Sequence, residues 1–194
     1  MKKALILIGY QNDYFSNDGI LFQVVKESLE KLNILSNTMS LINYAVENDY
    51  LVITTPIIFS KDYSELKNPV GILKTIKDVG AFMTGAKGSE SIKEFDAYDD
   101  YITEVPGKNG LNAFEGTELE QILTDNSINE IILAGCVCSI CIDSTGRSAS
   151  ERGIHVTMAS DCISSRTIFE HEFYCENVFP IYASVLKNTE IFKS

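Results

Sequence analysis

The residues best suited to chemistry lie in a cysteine-rich segment, residues 133–145, with the sequence Leu-Ala-Gly-Cys-Val-Cys-Ser-Ile-Cys-Ile-Asp-Ser-Thr. An apolar run, a glycine and a polar helical pattern predict a strand, a turn and the start of a helix. The first turn of a helix presents free N–H groups and the positive end of a dipole, and both stabilise a thiolate. Cys141 falls near that turn. It is either a nucleophile or a small residue that packs helix on sheet, and its position alone favours packing.

Two further segments carry polar residues that an active site could use. Lys108 lies in a glycine-rich stretch, where it is either a solvated charge or a cation beside a thiolate or an oxyanion. Residues 11–15, Gln-Asn-Asp-Tyr-Phe, follow the first apolar run of the chain. Polar residues at a strand end often form only turns, but the sites of α/β proteins also lie there.

The elements that must position these residues alternate between strands and helices. Apolar runs predict strands at Ala4–Ile8, Leu51–Thr55, Tyr101–Val105, Glu130–Ala134 and His155–Ala159. Periodicity predicts helices over Val25–Asn48, from a Thr117 N-cap to Thr124, over Ser139–Arg152 and over Glu170–Val185 with an interruption near Pro180. The glycine-rich stretch from Pro69 to Gly88 indicates a loop at the pocket rim or an oligomer contact. We therefore predict one α/β domain, residues 1–194, with a mostly parallel sheet between two helical layers.

Composition and charge argue against several classes of function. The 194 residues include 16 Lys and Arg against 27 Asp and Glu, so the formal net charge is −11. This balance disfavours binding to nucleic acid or to an anionic membrane surface. No apolar run approaches the roughly 18 residues of a membrane helix, and the N-terminal run is too short for a signal peptide, so we expect a cytoplasmic protein. Five cysteines disfavour a disulfide scaffold, and the single C-x-x-C pair lacks partners for zinc.

In order and spacing, these segments resemble the isochorismatase-like family of cysteine hydrolases, which includes nicotinamidases and other amidases. The resemblance spans nearly the whole chain. Its motifs are residues 11–15 after the first strand; Lys108 with Ala113-Phe114, Gly116-Thr117 and Leu119; Gly135 with Cys141-Ile142 and Ser144-Thr145; and Gly153 with Ser160-Asp161.

The resemblance implies an isochorismatase-like α/β fold and a mechanism. Cys141 would attack a carbonyl carbon and form a thioester, Lys108 would hold the thiolate or the proton relay, and water would release the acid. Backbone N–H groups near Cys138 and Cys141 would form the oxyanion hole. A non-proline cis peptide would correspond to the bond between Val137 and Cys138.

The resemblance also implies contacts and partners. Phe114 would border the substrate pocket, and Val137, Gln11 and Tyr10 would be further substrate or oxyanion contacts. The substrate would be a small molecule, and the chain would form a homodimer or homotetramer. We expect neither a cofactor nor a metal, because residues 54–62 lack the histidine of the nicotinamidase metal motif. His155 is predicted to be a packed or edge residue of its strand, and His171 to be exposed or a local capping partner.

One departure from the family pattern is serious. The family's catalytic aspartate ends the first strand, and Gly9 occupies that position here. Glycine cannot exchange a proton. Asp13 matches another family position and is expected to make structural hydrogen bonds, which leaves Asp18, Asp62 and Asp143 as candidates for a relocated base.

The sequence supports three functional hypotheses. The one we adopt is a metal-independent cysteine hydrolase of small amides or related C–N bonds. Its rival is a catalytically impaired relative that binds a small molecule or a partner protein, since Gly9 removes the acid. The third is thiol redox chemistry through Cys136, Cys138 and Cys141, for which crowding of buried thiols is the simpler explanation.

Overall fold

Six strands form one parallel sheet in the computed structural model, which describes residues 2–193. The strands are β1 (Lys2–Ile8), β2 (Leu51–Thr55), β3 (Ile102–Glu104), β4 (Ile128–Gly135), β5 (His155–Ile163) and β6 (Ser184–Leu186). Their order is β3-β2-β1-β4-β5-β6, and every neighbouring pair is parallel. The chain therefore winds outward from β1 in both directions, which brings the carboxyl ends of β1 and β4 together at the centre.

Helices cover both faces of the sheet. They are α1 (Asn12–Phe15), α2 (Phe22–Lys31), α3 (Ile34–Glu47), α4 (Gly71–Val79), α5 (Leu119–Asp125), α6 (Asp143–Glu151), α7 (Ile168–Phe173) and α8 (Asn188–Ile191). Helices α3 and α8 contribute to the core on one face, and α5 and α6 to the core on the other. The predicted three-layer α/β/α fold is confirmed. No helix within residues 2–193 has the length and apolarity needed to cross a bilayer.

The central strand β1 shows why the sequence forms this sheet. Its last five residues are all fully buried. Ile6 and Ile8 point into the core that holds α5 and α6, whereas Leu5 and Leu7 point into the core that holds α3 and α8. A continuous apolar run is what a parallel strand covered on both faces requires.

The first helix prediction needs correction. The single helix expected over Val25–Asn48 is divided into α2 and α3, because Asn33 adopts a left-handed φ of +51° between them. The Asn37 amide donates to the Leu32 carbonyl at 2.9 Å and satisfies the end of the first helix. Asparagine tolerates the left-handed conformation, so apolar periodicity can continue through such a break.

Two segments were assigned the wrong structure. The stretch from Pro69 to Gly88, expected to be loop, contains α4, whose C-cap Gly80 has a φ of +73°. The helix expected over Glu170–Val185 ends with short irregular turns, and Ser184–Leu186 forms the edge strand β6 beside β5. A three-residue strand is too short to show an alternating pattern.

Candidate active site

The candidate site lies where β1 and β4 end side by side. The Cys136 N–H donates to the Ile8 carbonyl at 2.9 Å, which joins the first residue after β4 to the end of β1. Gly135 makes this approach possible: a Cβ built there would lie 1.9 Å from the Ile8 oxygen. The nucleophile turn is thereby fixed against the strand end where the family places its acid.

Cys141 and Lys108, far apart in sequence, are brought into contact. Lys108 Nζ donates to Cys141 Sγ at 3.4 Å and to the Gly110 carbonyl at 2.7 Å. Lys108 is 1% exposed and Cys141 is 8% exposed, so the ammonium lies against the sulfur in a largely water-free setting. A β-bridge between Ile57 and Lys108 anchors the lysine loop to the segment after β2. Lys108 Nζ is therefore placed to stabilise negative charge on the Cys141 sulfur, as a cysteine nucleophile requires.

A small apolar cavity lies beside the thiol. Its lining consists of Ile8, Gly9, Tyr14, Ile57, Ile72, Ile76, Phe82, Lys108, Leu111, Cys136, Ile140 and Cys141. The cavity holds about 10 Å³, which is close to the space of one water molecule. Ile72 and Ile76 belong to α4, so this helix closes the cavity, and the stretch from Pro69 to Gly88 forms part of its wall.

The lining contains no carboxylate. Gly9 has a φ of +73°, and a Cβ built there would lie 3.1 Å from the Cys136 carbonyl oxygen and 3.6 Å from Tyr14 Cε2. Asp13 is buried and accepts from the Phe82 N–H at 2.6 Å, so it has the structural role expected of it. The three candidates for a relocated base lie elsewhere: Asp18 faces Lys87, Asp62 binds Ser60, and Asp143 pairs with Arg147.

Gln11 positions loops. Its amide nitrogen donates to the Ile57 carbonyl at 2.9 Å and the Ser89 carbonyl at 2.8 Å, and its oxygen accepts from the Ile57 N–H at 3.0 Å. Both N–H groups are used, so none remains for a substrate. The predicted substrate contact of Gln11 is therefore not supported by this geometry.

Tyr10 and Phe114 also lie outside the cavity. The Tyr10 hydroxyl contacts Thr38 Oγ1 at 2.6 Å in the core on the opposite face of the sheet from Cys141. Phe114 packs in the same core as Cys141, but its ring lies under the Arg152 guanidinium at 4.7 Å. Strict alternation would place Tyr10 on the face of Ile6 and Ile8, but β1 ends at Ile8 and the left-handed backbone of Gly9 turns Tyr10 to the face of Leu5 and Leu7.

The nucleophile turn differs from prediction at two points. The cis peptide bond joins Cys136 to Val137, one residue earlier than expected. The Cys138 N–H donates to the Ser164 carbonyl at 2.8 Å, so it is not available to an oxyanion. The Val137 N–H has no hydrogen bond within residues 2–193, so it is available to donate to an oxyanion.

The remaining four thiols are protonated at neutral pH; Cys136, Cys138 and Cys162 are buried, and Cys175 is partly buried. All five cysteines are free. Burial raises the pKa of Cys136 to about 12 even though Ser164 Oγ donates to its sulfur at 2.8 Å. Burial also raises the pKa of Cys175 to about 12, and those of Cys138 and Cys162 well above their usual range. None of these four has the lysine contact that distinguishes Cys141.

A model of the isochorismatase domain matches residues 3–190, which is nearly the whole chain. The chain belongs to the isochorismatase family. The Bacillus subtilis (strain 168) protein named uncharacterized isochorismatase family protein YaaI is 26% identical over 193 residues, covering 97% of this chain and 96% of that protein.

Solved structures of isochorismatase-like fold superpose closely on this isochorismatase-family chain. A cysteine hydrolase from Pseudomonas syringae pv. phaseolicola 1448A has a TM-score of 0.86 at 19% identity and covers 99% of this chain and 91% of its own. Nicotinamidase PncA from Bacillus subtilis has a TM-score of 0.76 at 24% identity, covering 96% of this chain and all of its own. These likenesses establish the shared fold.

The residues of this isochorismatase-family chain do not fit a nicotinamidase-type metal site. Within residues 2–193, no group of three or more His, Cys, Asp or Glu side chains is arranged to hold a metal ion. Ile57 and Phe59, from the segment where that motif carries ligands, are buried in the core. His171, expected to be exposed or a local capping partner, is instead buried, with Nε2 2.8 Å from the Ser160 carbonyl, whereas His155 is exposed at the start of β5.

Sequence reasoning missed Tyr14. Tyr14 lines the cavity beside Gly9 and Cys141. From the sequence, Tyr14 was recognised only as part of the motif at residues 11–15. Its hydroxyl makes no hydrogen bond to an atom of residues 2–193, and the oxygen is not fully buried. The available signal was that a tyrosine, rather than a wholly apolar ring, follows the strand whose aspartate is missing.

Proposed function

We propose that this chain is a metal-independent cysteine hydrolase that cleaves the C–N bond of small amides with apolar acyl groups. The observation that carries the proposal is the 3.4 Å contact between buried Lys108 Nζ and Cys141 Sγ. Membership in the isochorismatase family and superposition on a solved cysteine hydrolase support the same chemistry.

The first half-reaction forms a thioester. The Cys141 thiolate, paired with the Lys108 ammonium, attacks the carbonyl carbon, so a C–S bond forms and the carbonyl electrons move to oxygen. Collapse of this oxyanion breaks the C–N bond, and the nitrogen must gain a proton to leave as an amine. Water then attacks the thioester, a C–O bond forms, the C–S bond breaks and the thiolate is restored.

The cavity supports an apolar acyl group. Apart from Tyr14 and Lys108, the side chains around the thiol are hydrocarbon or sulfur. A polar acyl group would lose its hydrogen bonds to water there without gaining new ones. Because the free volume is near that of one water molecule, α4 must move aside to admit a substrate.

Replacing the nucleophile tests the proposal. The experiment mixes the protein with p-nitrophenyl butyrate and follows the burst of p-nitrophenolate together with the mass of the intact protein. We expect the native protein to gain one butyryl group on Cys141 and Cys141→Ala to gain none. Cys175→Ala, which changes a thiol outside the cavity, is the control and should acylate normally. Acylation that persists in Cys141→Ala would refute the thioester mechanism.

The rival function has its own supporting observation. Without a carboxylate at Gly9, the site could bind a small apolar molecule beside Cys141 and leave it intact. Saturable binding of butyramide by calorimetry, with no acylation by the ester, would favour this binding protein over the hydrolase. The homodimer or homotetramer, the cytoplasmic location and the single domain stay predictions.

A further inference from the structure

The proposed hydrolysis requires a proton donor that the end of β1 does not supply. The amine cannot leave as an anion, so an acid must protonate its nitrogen as the C–N bond breaks. Gly9 has no side chain, and no Asp or Glu within residues 2–193 lines the cavity. Lys108 is already committed to the sulfur and to the Gly110 carbonyl.

The ring of Tyr14 borders the space that a side chain at Gly9 would enter. Tyr14 Cε2 lies 3.6 Å from a Cβ built on Gly9, and the side chain is only 6% exposed. The ring packs on Phe82 with centroids 5.2 Å apart. Asp13, the preceding residue, holds the Phe82 N–H, so the loop and the ring are fixed together.

The hydroxyl of Tyr14 is free to act. It donates to no protein atom in residues 2–193, although other buried tyrosines do: Tyr10 donates to Cys162 and Tyr63 to Ala81. Burial raises the pKa of the Tyr14 phenol well above its usual value, and negative charge on Cys141 and on Asp13 raises it further. The phenol is therefore protonated at neutral pH.

We infer that the Tyr14 hydroxyl is the proton donor to the leaving nitrogen, in the role left open by Gly9. This inference rests on the proposed function. As the C–N bond breaks, its electron pair takes the phenolic proton, the amine departs and a phenolate remains. Water then gives one proton to that phenolate as its oxygen attacks the thioester. Phenol and thiolate are both regenerated, and one amide and one water become one acid and one amine.

The charges in the cavity change in favour of this transfer. Before reaction, the Cys141 thiolate repels a phenolate at Tyr14. Once the sulfur is bonded to carbon it carries no charge, so that repulsion is lost while the Lys108 ammonium remains in the same cavity. Tyr14 thus becomes a stronger acid when its proton is needed.

The test compares leaving groups that differ in their need for a proton. p-Nitroaniline must be protonated to leave, whereas p-nitrophenolate leaves as an anion. Tyr14→Phe removes only an oxygen without a hydrogen bond, so the fold and the cavity wall are retained. We expect its kcat on butyryl p-nitroanilide to fall by about 10²–10⁴-fold, the usual contribution of general acid catalysis. Its burst with p-nitrophenyl butyrate should keep the native rate.

Tyr63→Phe is the matched control. Tyr63 is buried in the same apolar cluster as Tyr14, but its hydroxyl donates to the Ala81 carbonyl at 2.8 Å and lies outside the cavity lining. Removal of the Tyr63 hydroxyl in Tyr63→Phe should leave the ratio of the anilide rate to the ester rate unchanged. Thermal unfolding of both variants checks that each is folded at the assay temperature.

The outcomes separate this inference from the proposed function. If the native protein shows no ester burst, the thioester mechanism fails and the inference falls with it. If the native burst is present but Tyr14→Phe slows ester and anilide equally, or slows neither, Tyr14 is not the proton donor and the hydrolase stands. If the native protein is acylated by the ester but does not cleave the anilide, no donor exists in the site. That last result overturns the inference as well.

Discussion

At the end of β1, Gly9 adopts a backbone conformation that a residue with a side chain rarely takes. Its φ of +73° lies in the left-handed region, and the Cys136 carbonyl oxygen lies 3.1 Å from the place of a Cβ. Tyr14 packs against the same point. The position is therefore not an empty space from which a carboxylate has simply been removed, and a new side chain must displace its neighbours.

We predict that Gly9→Asp will not increase amide hydrolysis. The left-handed backbone and the close carbonyl should destabilise the fold by about 1–3 kcal/mol, the usual cost of such local strain. Gly9→Ala separates the two effects, because it adds the same Cβ without the carboxylate. Urea unfolding should show a similar loss in both variants. A gain of activity in Gly9→Asp alone would show that the site can accept the family's acid.

The sequence predicted the reacting pair better than its surroundings. Cys141 and Lys108 could be paired because the resemblance assigned both and parallel strand ends bring such segments together. Gln11 and Tyr10 could not be placed, because the direction of a side chain beyond a strand end depends on the turn that follows. Tyr14 was missed because the residue type alone does not show that its hydroxyl is free, which depends on packing.

Among the elements, α7 holds the nucleophile turn in place. Glu170 accepts a hydrogen bond from Ser139 in that turn, and it accepts from Arg166 Nη2 at 2.7 Å and from the Arg166 N–H at 2.8 Å. Burial raises the pKa of Glu170, but the hydrogen bonds from Arg166 and Ser139 outweigh it and hold the pKa below 4.5. The carboxylate therefore stabilises the folded state most when it is charged.

We predict that Glu170→Gln destabilises the protein in a pH-dependent way. Because the folded-state pKa is depressed, the stabilisation is present above pH 4.5 and is lost as the pH falls through the folded-state value. At neutral pH the loss should be about 1.5–3 kcal/mol, typical of hydrogen bonds to a charged group.

Urea unfolding at neutral pH and at about pH 3, below the usual range of carboxylates, measures this difference. Glu172→Gln, an exposed change on the same helix, is the control and should behave like the native protein. A stability difference for Glu170→Gln that is the same at both pH values would contradict the charge argument.

The elements that the sequence mispredicted are those whose stability comes from contacts. Helix α4 lies between the breakers Pro69 and Gly80, but Ile72 and Ile76 hold it over the cavity. Strand β6 exists only because β5 offers it an edge. Local patterns carry no information on either neighbour, whereas the long buried strands β1 and β4 could be recognised from their own residues.

For the whole molecule, the approach of β1 to β4 both builds the centre of the sheet and joins the two halves of the site. Gly135 has a φ of +127°, and only its hydrogen atom fits beside the Ile8 carbonyl. We predict that Gly135→Ala costs more than about 4 kcal/mol, in the range reserved for disrupted cores. Gly153→Ala is the matched control: it shares a positive φ, +75°, but a Cβ there would meet nothing within 4 Å.

The free energy of unfolding of Gly153→Ala should therefore fall only by the cost of a left-handed backbone at a residue with a side chain, about 1–2 kcal/mol. Urea unfolding of the two variants measures the difference, which isolates the steric contact between β4 and β1. Because the Cys136 N–H is bonded to the Ile8 carbonyl, any Gly135→Ala protein that still folds must shift the nucleophile turn away from Gly9. It should then acylate more slowly than Gly153→Ala. Equal stability and equal acylation of the two variants would show that the sheet centre does not set the geometry of the site.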